Sequence, residues 1–195
     1  MSAAGRSSAG LTGRLLVAAP ALGDPSFARA VVLVLDHDED GALGVIINRP
    51  TPVDVAEVLP GWRSFATSPG VLFQGGPVAL DSALGLAAVP ATRNGADDEP
   101  LGWRRVIDRL GLVDLDTPPE IIAAEMAGLR IFAGYAGWGA GQLEAELAED
   151  SWYVVAADPS DAFSSEPQDL WRSVLRRQPG DLAFVSTCPY DPTMN

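Results

Sequence analysis

The side chains suited by type to chemistry are few in this chain. A single histidine, His37, sits inside an acidic run, Asp36-His37-Asp38-Glu39-Asp40-Gly41. A single cysteine, Cys188, lies in a proline-containing stretch near the end of the sequence. Asn48-Arg49-Pro50 follows an apolar run and offers an amide and a guanidinium. The most distinctive stretch joins glycines to aromatic and polar side chains: Gly134-Tyr135-Ala136-Gly137-Trp138-Gly139-Ala140-Gly141-Gln142-Leu143-Glu144.

Each of these has a chemical and a plain reading. Imidazole is the side chain that transfers protons near neutral pH, so any Ser-His-Asp or Cys-His arrangement would have to use His37. No G-x-S-x-G elbow offers the serine, and a surface histidine in a turn is the plainer reading. Asp36, Asp38, Asp40 and Gly41 open like a calcium loop, but its twelfth position, which needs a bidentate Glu, is Ile47. Arg49 can clamp a carboxylate or phosphate, or pair with one of the chain's own acids.

The glycine segment reads as a strand end, a glycine-rich connection and a helix start. Such a junction can aim backbone N–H groups at an anion. Its glycine spacing is not that of a dinucleotide turn, and Glu144, Glu146, Glu149 and Asp150 follow it. Tyr135, Trp138 and Gln142 beside open backbone suit a ligand pocket, and tight packing explains the glycines as well. The ligand-binding candidates are therefore His37, Asn48, Arg49, Tyr135, Trp138, Gln142 and Glu144. No residue is assigned as catalytic, and neither metal nor cofactor is expected.

Composition removes other chemistries. All 13 basic residues are Arg, so lysine-dependent phosphate loops and Schiff bases are absent. One Cys and one His cannot build a four-ligand zinc site. A net charge of -13 makes nucleic acid an unexpected partner, and no helix-turn-helix pattern is evident. No run approaches the roughly 20 apolar residues of a membrane span. The apolar run Leu15 to Leu22 is short and contains Pro20, so a cytoplasmic location is expected rather than secretion.

The elements that must position these groups follow from periodicity and turn chemistry. Residues 1–12 read as a disordered tail, 13–186 as one domain and 187–195 as a C-terminal tail. Arg14 to Ala19, Ala30 to Leu35 and Ala42 to Asn48 read as strands, the last two joined by the acidic turn. Thr51 reads as a helix N-cap with Pro52 in the first turn, leading a helix from Val53 to Leu59. Val71 to Phe73 and Ala83 to Val89 read as strands, 90–102 as a polar loop, and Trp103 to Leu115 as mixed strand and turn. Thr117 caps a helix over Ile121 to Ala127. Leu129 to Ala133 is a strand, Gln142 to Glu149 a helix and Ser151 to Ala157 a strand. An amphipathic helix carries Leu170, Trp171, Val174 and Leu175, and Asp181 to Val185 closes as a strand. Irregular alternation of about eight strands and four helices argues for a mixed sheet.

Several of these segments, in order and spacing, resemble the AlgH/YqgE family of bacterial proteins. They are Gly13 to Pro20, Asp24-Pro25-Ser26-Phe27, the Asp36 to Gly41 turn, Gly44 to Pro50, Gly75 to Val78 and Gly134 to Glu144. The resemblance covers residues 11 to 186. It implies a single α+β (mixed α/β) domain with a bifurcated mixed β-sheet, part of it barrel-like, surrounded by helices. It carries over no catalytic residues, and some members bear a transcriptional-regulator label. The leading expectation is a non-enzymatic binding or regulatory protein recognising a small-molecule or protein partner. The alternatives are an enzyme with a cleft near His37 and Glu144, or a transcriptional regulator.

Overall fold

A computed structural model of the chain describes residues 10–91 and 99–189. The tail expected over 1–12 thus lies outside the described residues up to position 9, as do residues 92–98 of the polar loop and the end of the chain from 190. Leu11 is described, and it packs against the core.

Three apolar runs form the first sheet layer. β1 (Arg14–Ala18), β2 (Val31–Asp38) and β3 (Gly41–Ile46) pair antiparallel in sequence order. Their side chains alternate between two buried clusters, with Leu15, Leu33 and Val45 on one side and Leu16, Val32 and Ile46 on the other. Burial on both faces explains why the runs are continuously apolar.

The next segment departs from expectation. Residues around Thr51 form a strand, β4 (Pro50–Asp54), paired with β5 (Val71–Gln74). The Thr51 hydroxyl donates to the Leu72 carbonyl across that pair at 2.8 Å. The helix cap is Asp54, whose carboxylate accepts the Ala56 N–H at 2.8 Å while Glu57 accepts the Asp54 N–H at 3.1 Å. This reciprocal box starts α1 (Val55–Val58). Two cap signals stand three residues apart, and strand pairing decides between them.

β6 (Val78–Ala88) is longer than its apolar stretch, because a bulge between Val78 and Ala83 admits polar residues. β7 (Trp103–Ile107) and β8 (Leu110–Val113) make a hairpin. The Thr117 cap is not used: α2 (Pro119–Ile122) has Pro118 at its cap and passes into a 3₁₀ turn at Ala123–Glu125.

The largest departure is β9 (Gly128–Gly139), a single strand of 12 residues. It includes most of the segment expected to be a glycine-rich connection. α3 (Gln142–Ala148) and β10 (Trp152–Ala156) follow as expected, then α4 (Leu170–Arg176) with Trp171 inward. Leu182–Val185 is a helix, α5, and not a strand. No helix among the described residues is long and apolar enough to cross a membrane.

β9 is where the sheet forks. Its first part pairs with β6 and, in parallel, with β5, while its last part pairs with β3. The strand order is β10-β1-β2-β3-β9-β6-β8-β7, with β5 and β4 branching from β9. Gly134, at φ 71°, marks the change of partner. There Gly75 and Gly76 cross against the backbone of Gly134 and Tyr135 so closely that a Cβ on either would come within 3.0 Å of backbone atoms. Glycine is required there by backbone approach. The sheet also curls, bringing Ile107 of β7 against Gly13 just before β1. The result is a mixed α/β domain built on a half-barrel, as expected.

Candidate functional site

Register decides which candidate side chains share a face. His37 is paired with Ala42, and Ala42 with Trp138. The three therefore point to one side of the sheet, where α3 packs with Leu143 buried beside Trp138 and Ala136. The His37 side chain is only 6% exposed. Its Nδ1 accepts the Leu11 N–H at 3.0 Å, and its Nε2 meets the Glu144 carboxylate at 2.8 Å. Both ring nitrogens are thus occupied, and the Nδ1 acceptor role fixes the proton on Nε2. The Glu144 carboxyl is held below the usual carboxylate range, first by its own backbone N–H and then by the His37 N–H.

Two residues further along α3, Glu146 gathers three donors. Its Oε2 accepts the indole N–H groups of Trp138 at 2.9 Å and Trp152 at 2.8 Å, and its Oε1 accepts from Gln142 at 3.0 Å. Gln142 in turn accepts the Gly139 N–H at 3.1 Å. Phe27 completes an aromatic trio, stacked on Trp138 with centroids 6.1 Å apart and edge-on to Trp152 at 5.4 Å. This face is closed by its own side chains. The anion-binding junction considered from the sequence does not form: the Gly139 N–H is taken, Gly141 turns the chain at φ 73°, and Glu144 occupies the first turn of a seven-residue helix.

Asn48 and Arg49 serve another purpose. Asn48, 8% exposed, accepts the Val31 N–H and donates to the Arg29 carbonyl, both at 2.9 Å. Arg49 donates to the carbonyls of Ser26 and Ala28, and burial lowers its pKa against the opposing pull of Asp24. Together they pin the 24–30 loop that delivers Phe27. Instead of converging with His37 and Glu144 on one cleft, they support the site from behind. Cys188 packs against the core cluster of Trp171. Its carbonyl accepts from Arg29 and Arg172, and His37 is committed to Leu11 and Glu144.

The other face of the same strands is core where Leu33 and Val45 lie and is exposed at Gly137 and Gly139. Asp36 is paired with Leu43 and Leu43 with Gly137; Asp38 is paired with Gly41 and Gly41 with Gly139. A cleft of about 240 Å³ at the β2–β3 turn is bounded by residues of both faces: Asp36, Asp38, Asp40, residues 41–43 and Trp138. Asp36 and Asp38 spend one oxygen each on the N–H groups of His37 and Asp40. They do not assemble into a metal-holding group among the described residues. Gly137 and Gly139 are both exposed. A Cβ on Gly139 would meet nothing within 4 Å, and one on Gly137 would meet only the ring of Tyr135 at ordinary contact distance. Neither has a positive φ. The fold therefore does not require glycine at these two positions, unlike Gly75, Gly76 and Gly134. Tyr135 lies on this face, two residues along β9 from Gly137.

The AlgH-like family model matches residues 15–183. The chain belongs to that family. It is 64% identical over 185 residues to a UPF0301 protein of Streptomyces coelicolor, covering 95% of each chain. It is 47% identical over 184 residues to a UPF0301 protein of Mycobacterium tuberculosis, covering 94% of this chain and 90% of that one. Among solved structures, a Corynebacterium diphtheriae protein superposes with a TM-score of 0.85 at 36% identity, covering 91% of this chain and 92% of that one. The AlgH protein of Pseudomonas aeruginosa superposes at 0.66 with 29% identity, over 97% and 98%.

In this AlgH-like chain the seven sequence candidates thus divide three ways. His37, Trp138, Gln142 and Glu144 meet on the α3 face, Tyr135 lies on the opposite face, and Asn48 and Arg49 brace the 24–30 loop. Sequence reasoning missed Glu146 and Phe27, whose roles depend on long-range packing. It also passed over Gly137 and Gly139 as individuals, although their alternation with Ala136 and Trp138 is the period-2 signal of a strand.

Proposed function

We propose that the chain is a non-enzymatic recognition protein that takes a basic segment of a partner protein on the open face of β2, β3 and β9. The reading rests on one observation: Gly137 and Gly139 leave the sheet bare beside an acid-lined cleft, and nothing in the packing calls for glycine there. A bare strand surface lets a ligand lie against backbone, and the rim of Asp36, Asp38 and Asp40 favours a cation. The cleft of about 240 Å³ is smaller than the roughly 300–1,000 Å³ typical of small-molecule sites. It suits one guanidinium or ammonium side chain presented by a larger partner. A net charge of -13 would speed approach of such a partner.

On the α3 face, the groups best suited to proton transfer are already engaged. His37 uses both ring nitrogens within the chain, and Glu144 and Glu146 each accept from neighbours. These groups hold the platform rigid. The test is a titration with an arginine-rich peptide and a glutamate-rich peptide of equal length. The arginine-rich peptide should bind saturably and weaken as salt rises, and the acidic peptide should not bind. Equal binding of both peptides, or of neither, would sink the proposal.

A further inference from the structure

A second cavity lies on a different part of the molecule, beside the free edge of β4. Its volume is about 460 Å³, within the range typical of small-molecule sites. Pro50, Thr51 and Pro52 form one wall; Pro69, Ser165 and Pro167 are among the residues of the others. Among the described residues β4 pairs only with β5, and Pro50, Thr51 and Pro52 line this groove. Two prolines on that edge remove the N–H groups that an added strand would need. The groove is thus unsuited to an extended peptide pairing with β4, and its size suits a compact molecule.

Behind the groove lies an unusual charge. Arg130 interrupts the apolar run Leu129-Arg130-Ile131-Phe132, and it is 1% exposed. Its guanidinium stands 4.2 Å from the Phe73 ring centroid. Its terminal nitrogens donate to the carbonyls of Ser68 at 2.9 Å, Ala162 at 3.0 Å and Ser164 at 3.2 Å. Three of these four anchors are next to a groove residue in register or sequence: Phe73 is the register partner of Pro50, Ser68 precedes Pro69, and Ser164 precedes Ser165. The Nε donor is buried without a partner. Among the described residues no carboxylate partners it, and burial lowers its pKa to about 10. Arg130 is therefore a buried cation with no counter-charge among the described residues, and two of the carbonyls that hold it, Ser68 and Ser164, come one residue before the lining residues Pro69 and Ser165. Burying a charge in this way is costly unless something balances it.

We propose that the groove between β4 and residues 165–168 is a binding site for a small molecule bearing an oxyanion, a carboxylate or phosphate ester, with Arg130 as its buried counter-charge. The site is separate from the acid-lined cleft and takes ligand of the opposite sign, so either can fail alone. The strongly negative chain repels anions in general, which makes saturable anion binding here a sharp signal.

The test uses the full chain with benzoate, phenyl phosphate and neutral benzamide as probes, followed by amide NMR shifts. Benzoate, phenyl phosphate or both should shift Val71, Ser165 and Gln168 saturably, with benzamide weaker by about tenfold or more. Ser165→Trp fills the groove from an exposed position and leaves Arg130 intact. It should abolish the shifts while preserving the rest of the spectrum. Arg130→Met, if it melts cooperatively, should lose the preference for anions; if it does not fold, Ser165→Trp decides. Benzamide binding as well as the anions, shifts that persist in Ser165→Trp, or no saturable shift with either anion would overturn the assignment.

Discussion

Replacing Glu146 with alanine should destabilise the fold by several kcal/mol, although Glu146 is only partly buried. Its carboxylate oxygen accepts the indole N–H groups of both Trp138 and Trp152, residues that are 5% and 4% exposed. Removing the acceptor leaves two buried donors unmet, at about 1–3 kcal/mol each. Water entering at the exposed rim of α3 recovers part of that, which leaves about 2–4 kcal/mol. For a domain of this size, 1 kcal/mol corresponds to roughly 2–4 °C in Tm, so the midpoint should fall by about 4–16 °C. Glu146→Gln keeps an acceptor oxygen and loses only charge assistance, so its loss should be about half as large. Urea unfolding followed by tryptophan fluorescence measures both, with m unchanged if the effect is local. A loss below about 0.5 kcal/mol for Glu146→Ala would refute the reasoning, because it would mean that the indoles do not depend on this carboxylate.

Three further outcomes follow from the same geometry. Asn48→Ala should cost about 2–3 kcal/mol in urea unfolding, since the Val31 N–H and the Arg29 carbonyl both lose a buried partner. Gly75→Ala should be severely destabilising, by about 3 kcal/mol or more, because its Cβ meets the Gly134 backbone at the fork; Gly139→Ala should be near neutral on the same melting assay. Glu144 has a folded pKa below its unfolded value, so its contribution is full above the unfolded pKa and is lost as pH falls through the folded one. The Leu11 amide, which donates to His37, should report this in a pH titration by NMR, and Glu144→Gln should remove the acid-side step.

Much of the fold was legible because its elements are locally consistent. The β-branched run Ala30 to Leu35 and the acidic turn after it specify a hairpin, and Leu170, Trp171, Val174 and Leu175 specify a helix by their spacing. The misreadings came from signals that tertiary pairing overrides. Glycine at 134, 137, 139 and 141 reads as loop, yet β9 runs through to Gly139 because β6 pairs with it up to Tyr135 and β3 takes over from Ala136 to Gly139. Asp181 to Val185 is a short apolar run that periodicity cannot assign. It packs as a helix on α4. The site was half legible. Residue type brought out His37, Trp138, Gln142 and Glu144, which do meet. The open face could not be read, because its signature is the absence of side chains at positions that only the register places together.

The most direct test of the central claim separates the open face from the fold. Gly139→Val adds a side chain where the structure has free space, so the variant should melt within about 1 kcal/mol of the parent. It keeps every charge of the cleft. Titrated with the arginine-rich peptide and followed by amide NMR shifts, the parent should show saturable changes at residues 36–43 and 137–139. Gly139→Val should bind at least about tenfold more weakly, the equivalent of about 1.4 kcal/mol. Unchanged affinity in a well-folded Gly139→Val, or peptide shifts confined to other parts of the surface, would contradict a recognition site on the bare strands of β3 and β9.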